Sequence, residues 1–74
     1  MITLEKIRQK LVEAIKQSGL TQTELAFRLK INPATVSHYV HGSKMPALDT
    51  FANLCAILDV DTSDILCIAE YKPN

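Results

Sequence analysis

The chain has 74 residues, 47% of them apolar, with four aromatic side chains, two cysteines and no net charge. That length allows one domain with a modest core, and that apolar fraction is too high for a disordered chain. No apolar run reaches the roughly 18 residues of a membrane span, and two cysteines are too few to staple a mini-protein.

Cys55 and Cys67 read as core thiols in a reducing compartment. The opening MITLEKIRQK carries charges where a signal peptide needs an apolar stretch, so a cytoplasmic chain is expected. The zero net charge hides a split. From Met1 to Pro46 seven basic residues stand against three acidic ones, a net of +4; from Ala47 onward one lysine stands against five acids, a net of −4. Such segregation suggests one face for an anionic partner and an acidic face opposite.

Five short helices and no strand are expected. Leu4, Ile7, Leu11 and Ile15 form one helical stripe over about residues 3–18, with Gly19 placed for a left-handed C-terminal residue. Thr21-Gln22-Thr23-Glu24 has the form of a capping box: the Thr21 hydroxyl accepts from the third amide and Glu24 reaches back. The second helix turns Leu25, Ala26 and Leu29 inward, and the small Ala26 suits a close helix crossing.

After Lys30-Ile31, Asn32 is a good N-cap, and Pro33 suits the first helical position, where no amide hydrogen is required. This third helix runs to about His41, stops at Gly42, and turns Val36, Tyr39 and Val40 inward. A fourth helix follows Met45-Pro46, with Leu48, Phe51, Leu54, Cys55 and Leu58 at helical spacing. Asp61-Thr62-Ser63-Asp64 caps a short fifth helix with Ile65 and Leu66 inward, and the residues from Glu70 onward are expected to fray. Two short helices joined by a tight turn make a helix-turn-helix, whose second helix can enter a major groove.

Three stretches extend this reading. GLTQTELAFRLKIN resembles helix 2 and the turn of the lambda-repressor-like, Cro/Xre-type DNA-binding domains. PATVSHYVHGSKMP resembles their recognition helix and its exit, and LDTFANLCAILDVDTSDIL their helices 4 and 5. The resemblance covers about two-thirds of the chain, from Gly19 to Leu66, in order and in one register. It implies a compact all-α, five-helix domain over residues 1–74 with the helix-turn-helix at helices 2 and 3.

It also implies site residues. Gln22, Pro33, Ala34, Thr35, Ser37 and His38 fall where relatives meet bases. Lys16, Gln22, Asn32, His41, Ser43 and Lys44, with the amides opening helices 2 and 3, are the candidates for the DNA backbone. Lys30 and Asp59 stand where relatives often carry glycine, and Ile15 and Val40 where some bury an Arg–Glu pair.

Chemically, His38 can donate to guanine N7 or O6, and Thr35 offers a hydroxyl and a methyl. Ala34 makes only apolar contact, and Pro33 sets geometry. The bidentate Arg, Asn and Gln pairings worth about 1–3 kcal/mol each are missing from this helix, so shape and phosphate spacing are expected to contribute. His41 suits the helix C-terminal dipole or a phosphate. His38 and His41 have no third ligand of assured proximity, so no metal or other cofactor is expected, and no catalytic arrangement is evident.

The expected function is a sequence-specific transcriptional repressor of phage or bacterial type. It would bind an operator in double-stranded DNA as a homodimer, with no membrane, small-molecule ligand or effector domain. Phe27 lies about 200° round helix 2 from Leu25, and with Ile68 and Tyr71 it is a candidate contact to a second subunit or another partner. The alternative is a protein-interaction module on the same fold, of anti-repressor or antitoxin type, which zero net charge and the thin base-reading surface favour.

Overall fold

The computed structural model describes residues 1–69. Its helices are α1 (Leu4–Gln17), α2 (Gln22–Leu29), α3 (Pro33–His41), α4 (Leu48–Leu58) and α5 (Thr62–Ile65), and no strand occurs among the described residues. The expected fold class is therefore the observed one. Tyr71 lies outside the described residues.

Local chemistry sets each boundary. The hydroxyl of Thr3 accepts from Lys6 N at 3.2 Å and opens α1; Asp61 opens α5 by accepting from Ser63 N at 2.9 Å. At α2 the Thr21 hydroxyl accepts from Glu24 N at 3.1 Å, as a capping box requires. The reciprocal half differs from expectation. Glu24 does not reach the Thr21 amide; its carboxylate accepts from the Thr21 hydroxyl at 3.2 Å.

Three helices end in the same way. Lys30, Gly42 and Asp59 adopt left-handed conformations with φ of 58°, 77° and 55°. The next amide then turns back: Ile31 N to Ala26 O, Ser43 N to His38 O, and Val60 N to Cys55 O, at 3.0–3.1 Å. This is the Schellman pattern, which satisfies carbonyls a helix end leaves open. Lys30 and Asp59 hold it without the freedom of glycine. Cys67 is a third non-glycine residue with positive φ, at 64°, which no sequence signal indicated.

The core gathers one side of each helix. Leu11, Ala14 and Ile15 of α1 join Leu25 and Ala26 of α2, Val36 and Tyr39 of α3, Phe51, Leu54 and Cys55 of α4, and Ile65 of α5. Leu29, Val40, Leu58 and Leu66 pack half-buried against it. Leu11, Leu25, Val36 and Leu54 are the largest side chains sealed from water, each worth about 1.5–3 kcal/mol of transfer free energy. Ala26 at 1% exposure lets α2 and α3 pack closely, and that pair forms the most extensive interhelical contact.

Two stripe members do not join the core. Leu4 is 70% exposed and Leu48 86%. Both stand in the first turn of their helices. Leu48 is also about 70° off the centre of its helix's buried arc at 100° per residue. Ile15 is buried and Val40 half-buried, so an aliphatic pair occupies the α1 and α3 positions that the register assigned to an ion pair.

Candidate nucleic-acid interface

The geometry of α3 starts at Asn32. Its Oδ1 accepts from Ala34 N at 2.8 Å, Pro33 has no amide hydrogen, and Thr35 N bonds Asn32 O at 2.9 Å. The amides of Ala34 and Thr35, expected as phosphate donors, are therefore already engaged by Asn32. The α2 terminus differs. Thr21 takes the amides of Glu24 and Leu25, and those of Gln22 and Thr23, at the positive end of the helix dipole, have no partner among the described residues.

Spacing at 100° per residue divides α3 into two arcs. Val36 and Tyr39, 0% and 5% exposed, define the buried arc with the half-buried Val40 beside them. Ala34, Ser37, His38 and His41 occupy an arc of about 100° centred opposite. Ala34, His38 and His41 are exposed. Ser37 borders Val40 and Thr35 borders Tyr39, and both are half-buried as their angles require. Pro33 is exposed at the helix start.

The two histidines are tied down by different groups. His41 Nδ1 lies 2.8 Å from the Ser37 carbonyl, and 3.3 Å from the Ser37 hydroxyl. A carbonyl only accepts, so this nitrogen carries the proton and donates into the last turn of the helix, where a donor suits the dipole. His38 Nδ1 lies 3.0 Å from Ser43 Oγ, across the Gly42 turn. Ser43 also donates from its hydroxyl to the His38 carbonyl at 3.3 Å and from its amide at 3.0 Å.

Ser43 was assigned to the DNA backbone, and sequence reasoning missed its grip on His38. The available signal was a serine just after a left-handed glycine, five residues beyond a histidine, where the returning chain meets the preceding turn. Arg8 was missed too. A Cβ built on Gly42 would lie 2.6 Å from Arg8 Nη1, so the guanidinium rests on the glycine, and it also pairs with Glu5. A contact between residues 34 apart leaves no local trace.

Lys16, Gln22, Asn32 and Lys44 are exposed, with Lys16 in the last turn of α1, Gln22 opening α2 and Lys44 in the loop after α3. Among the described residues no hydrogen bond joins Lys16, Gln22 or Lys44 to the side chains of α3. Phe27 is 84% exposed, on the side of α2 away from Leu25 and Ala26, and Ile68 is 52% exposed after α5. Among the described residues, no three His, Cys, Asp or Glu side chains gather where a metal ion could sit, and no helix is long and apolar enough to cross a membrane.

Comparison with known proteins gives one positive finding. A family model described as helix-turn-helix matches residues 11–65, from the buried part of α1 to the end of α5. No curated protein and no solved structure matches the chain.

Proposed function

Because the chain belongs to the helix-turn-helix family, a family of DNA-binding regulators of Cro/C1 type and not of enzymes, we propose that it is a sequence-specific repressor. It inserts α3 into the major groove of an operator, where it excludes other proteins by occupancy. The observation that carries this reading is the outward arc of Ala34, Ser37, His38 and His41, set opposite the buried Val36 and Tyr39 and started by a capped Asn32. Pro33 and Thr35 flank that arc, and Gln22 approaches from the start of α2. Lys16, Gln22, Asn32 and Lys44 supply the backbone contacts, whereas the donors of Ser43 and of His41 Nδ1, expected there from sequence, are taken by the His38 and Ser37 carbonyls.

With so few base readers, one module gains specificity by pairing. A homodimer on half-sites about 10–10.5 bp apart is the expected form, with Ile68 and Tyr71 as candidate contacts. A cytoplasmic location in a bacterial or phage-infected cell follows from that role.

The test is a titration of a selected duplex and a random one over a range of salt. Log affinity should fall linearly with log salt, with a slope of about −0.9 for each phosphate neutralised. His38→Ala should weaken the selected duplex alone, and Lys44→Ala should weaken both alike and flatten the slope by about one. Equal losses on both duplexes for His38→Ala reject the base-reading role.

A second reading rests on Phe27, whose 84% exposure on the outer side of α2 offers an anchor for a protein partner. Under it the domain is an interaction module of anti-repressor or antitoxin type. Tight binding of a partner protein that Phe27→Ala abolishes, with no duplex selected from a random pool, would establish it over the first.

A further inference from the structure

We propose that Ser43 sets the tautomer of His38, so that α3 reads an exocyclic amine, adenine N6 or cytosine N4, at the base facing this ring. The inference rests on α3 being the recognition helix and names the chemical group it recognises.

The argument is a count of protons. Ser43 Oγ lies 3.0 Å from His38 Nδ1 and 3.3 Å from the His38 carbonyl oxygen. The hydroxyl has one proton to give. If it goes to the carbonyl, the oxygen's lone pair accepts from Nδ1–H, and both contacts are hydrogen bonds. If it goes to Nδ1, the contact with the carbonyl has no proton. Two bonds against one favours the tautomer with the proton on Nδ1. The position of Ser43 is itself held, because its amide donates to the same carbonyl at 3.0 Å and Gly42 supplies the left-handed turn.

With Nδ1 committed, the neutral ring presents a bare Nε2 to the groove. A lone pair there accepts only from a base that donates. In the major groove the donors are the amines of adenine and cytosine; guanine N7 and O6 and thymine O4 are acceptors and repel it. His38 was expected from sequence to donate to guanine, and the Ser43 contact reverses that preference. The tie also fixes the ring before binding, which lowers the cost of ordering it. His41 has a different partner in the Ser37 carbonyl, so Ser43 acts on His38 alone. Ser43 is here a positioning residue, and His38 makes the base contact.

The experiment has two arms. In the first, the uniformly 15N-labelled full chain is examined without DNA by long-range 1H–15N correlation at a pH where the imidazoles are neutral. His38 should show protonated Nδ1, and Ser43→Ala should move the proton to Nε2. In the second, duplexes are selected from a random pool by the wild type, Ser43→Ala and His38→Ala. The wild type should enrich adenine or cytosine at one position per half-site. Ser43→Ala should shift that position toward guanine, and His38→Ala should flatten it. Where adenine is enriched, replacing it with purine, which lacks the amine, should cost the wild type about tenfold in affinity and His38→Ala nothing.

Protonated Nε2 in the free wild type, or guanine enriched at the His38-dependent position, overturns the tautomer assignment and leaves the recognition helix standing. If no duplex is enriched, or if His38→Ala changes every position alike, the recognition-helix reading falls and this proposal falls with it.

Discussion

The guanidinium of Arg8 lies against Gly42, joining the first half of α1 to the turn that leaves α3. A Cβ on Gly42 would meet Arg8 Nη1 at 2.6 Å and its Cδ and Cζ at 3.0 Å. Gly19, with a similar φ of 75°, has nothing within 4 Å of the same hypothetical atom. The two glycines therefore separate backbone strain from lost contact. Gly19→Ala should cost about 1 kcal/mol, the strain of a left-handed alanine. Gly42→Ala should cost that and more, because Arg8 must leave the turn and its pairing with Glu5 is disturbed. Urea midpoints for both variants, each in the wild-type and Arg8→Ala backgrounds, check this. The excess at Gly42 should vanish when Arg8 is absent.

Lys30 is the next position where the backbone carries a cost. Its φ of 58° lies in the left-handed region, and its amide closes the end of α2 on Ala26 and Phe27. The turn between α2 and α3 needs that conformation, so the strain is tolerated. Lys30→Gly should relieve about 1 kcal/mol, less a few tenths for the freer unfolded chain. Thermal unfolding should move up by a few degrees. Lys30→Ala keeps the β-carbon and should leave the midpoint near the wild-type value. A glycine variant no more stable than the alanine one would show that the turn is unstrained.

These turns mark how far the sequence could be read. Asn32, Pro33 and Gly42 announced the bounds of α3 because caps and stops are local: a carboxamide beside the amide it accepts from, a ring without a donor, and a residue without a β-carbon. Helical spacing gave the direction of Val36 and Tyr39 for the same reason. Leu4 and Leu48 were misplaced because spacing fixes an angle and says nothing of whether a neighbouring helix reaches the first turn. The outward placement of His38 was legible, but its bond to Ser43 was not, since that depends on the path of the chain through Gly42. Arg8 was invisible as a neighbour of Gly42 because only the packed fold brings α1 to that turn.

The contrast within α4 tests the core directly. Leu54 is fully buried and Leu48 is 86% exposed, although both fit the same apolar pattern. Leu54→Ala should cost about 2–5 kcal/mol through lost transfer energy and the cavity left behind. For a domain of this size the whole stability is about 4–11 kcal/mol, so that variant should lose a large share of it. Leu48→Ala should stay within about 0.5 kcal/mol of wild type, as exposed positions do. Chemical denaturation of both variants decides the matter. A large loss at Leu48 would mean that a second chain covers it in solution, and the loss would then depend on protein concentration.

Cys55 carries the pH dependence that the core builds in. It is 2% exposed, and burial pushes its thiol above the ordinary value because the thiolate loses its hydration. The unfolded chain therefore ionises first. Stability from the neutral thiol is complete below the unfolded value of about 8.5 and is lost progressively as pH rises through the higher folded value. Urea midpoints should consequently fall more steeply between pH 8 and pH 10 in the wild type than in Cys55→Ala, although the variant is less stable throughout. The same desolvation makes the native thiol a poor nucleophile. Iodoacetamide at pH 8 should label Cys55 at a rate that follows the unfolded fraction and rises with urea. Fast labelling in native buffer, or equal slopes for the two proteins, would mean that the thiol is open to water.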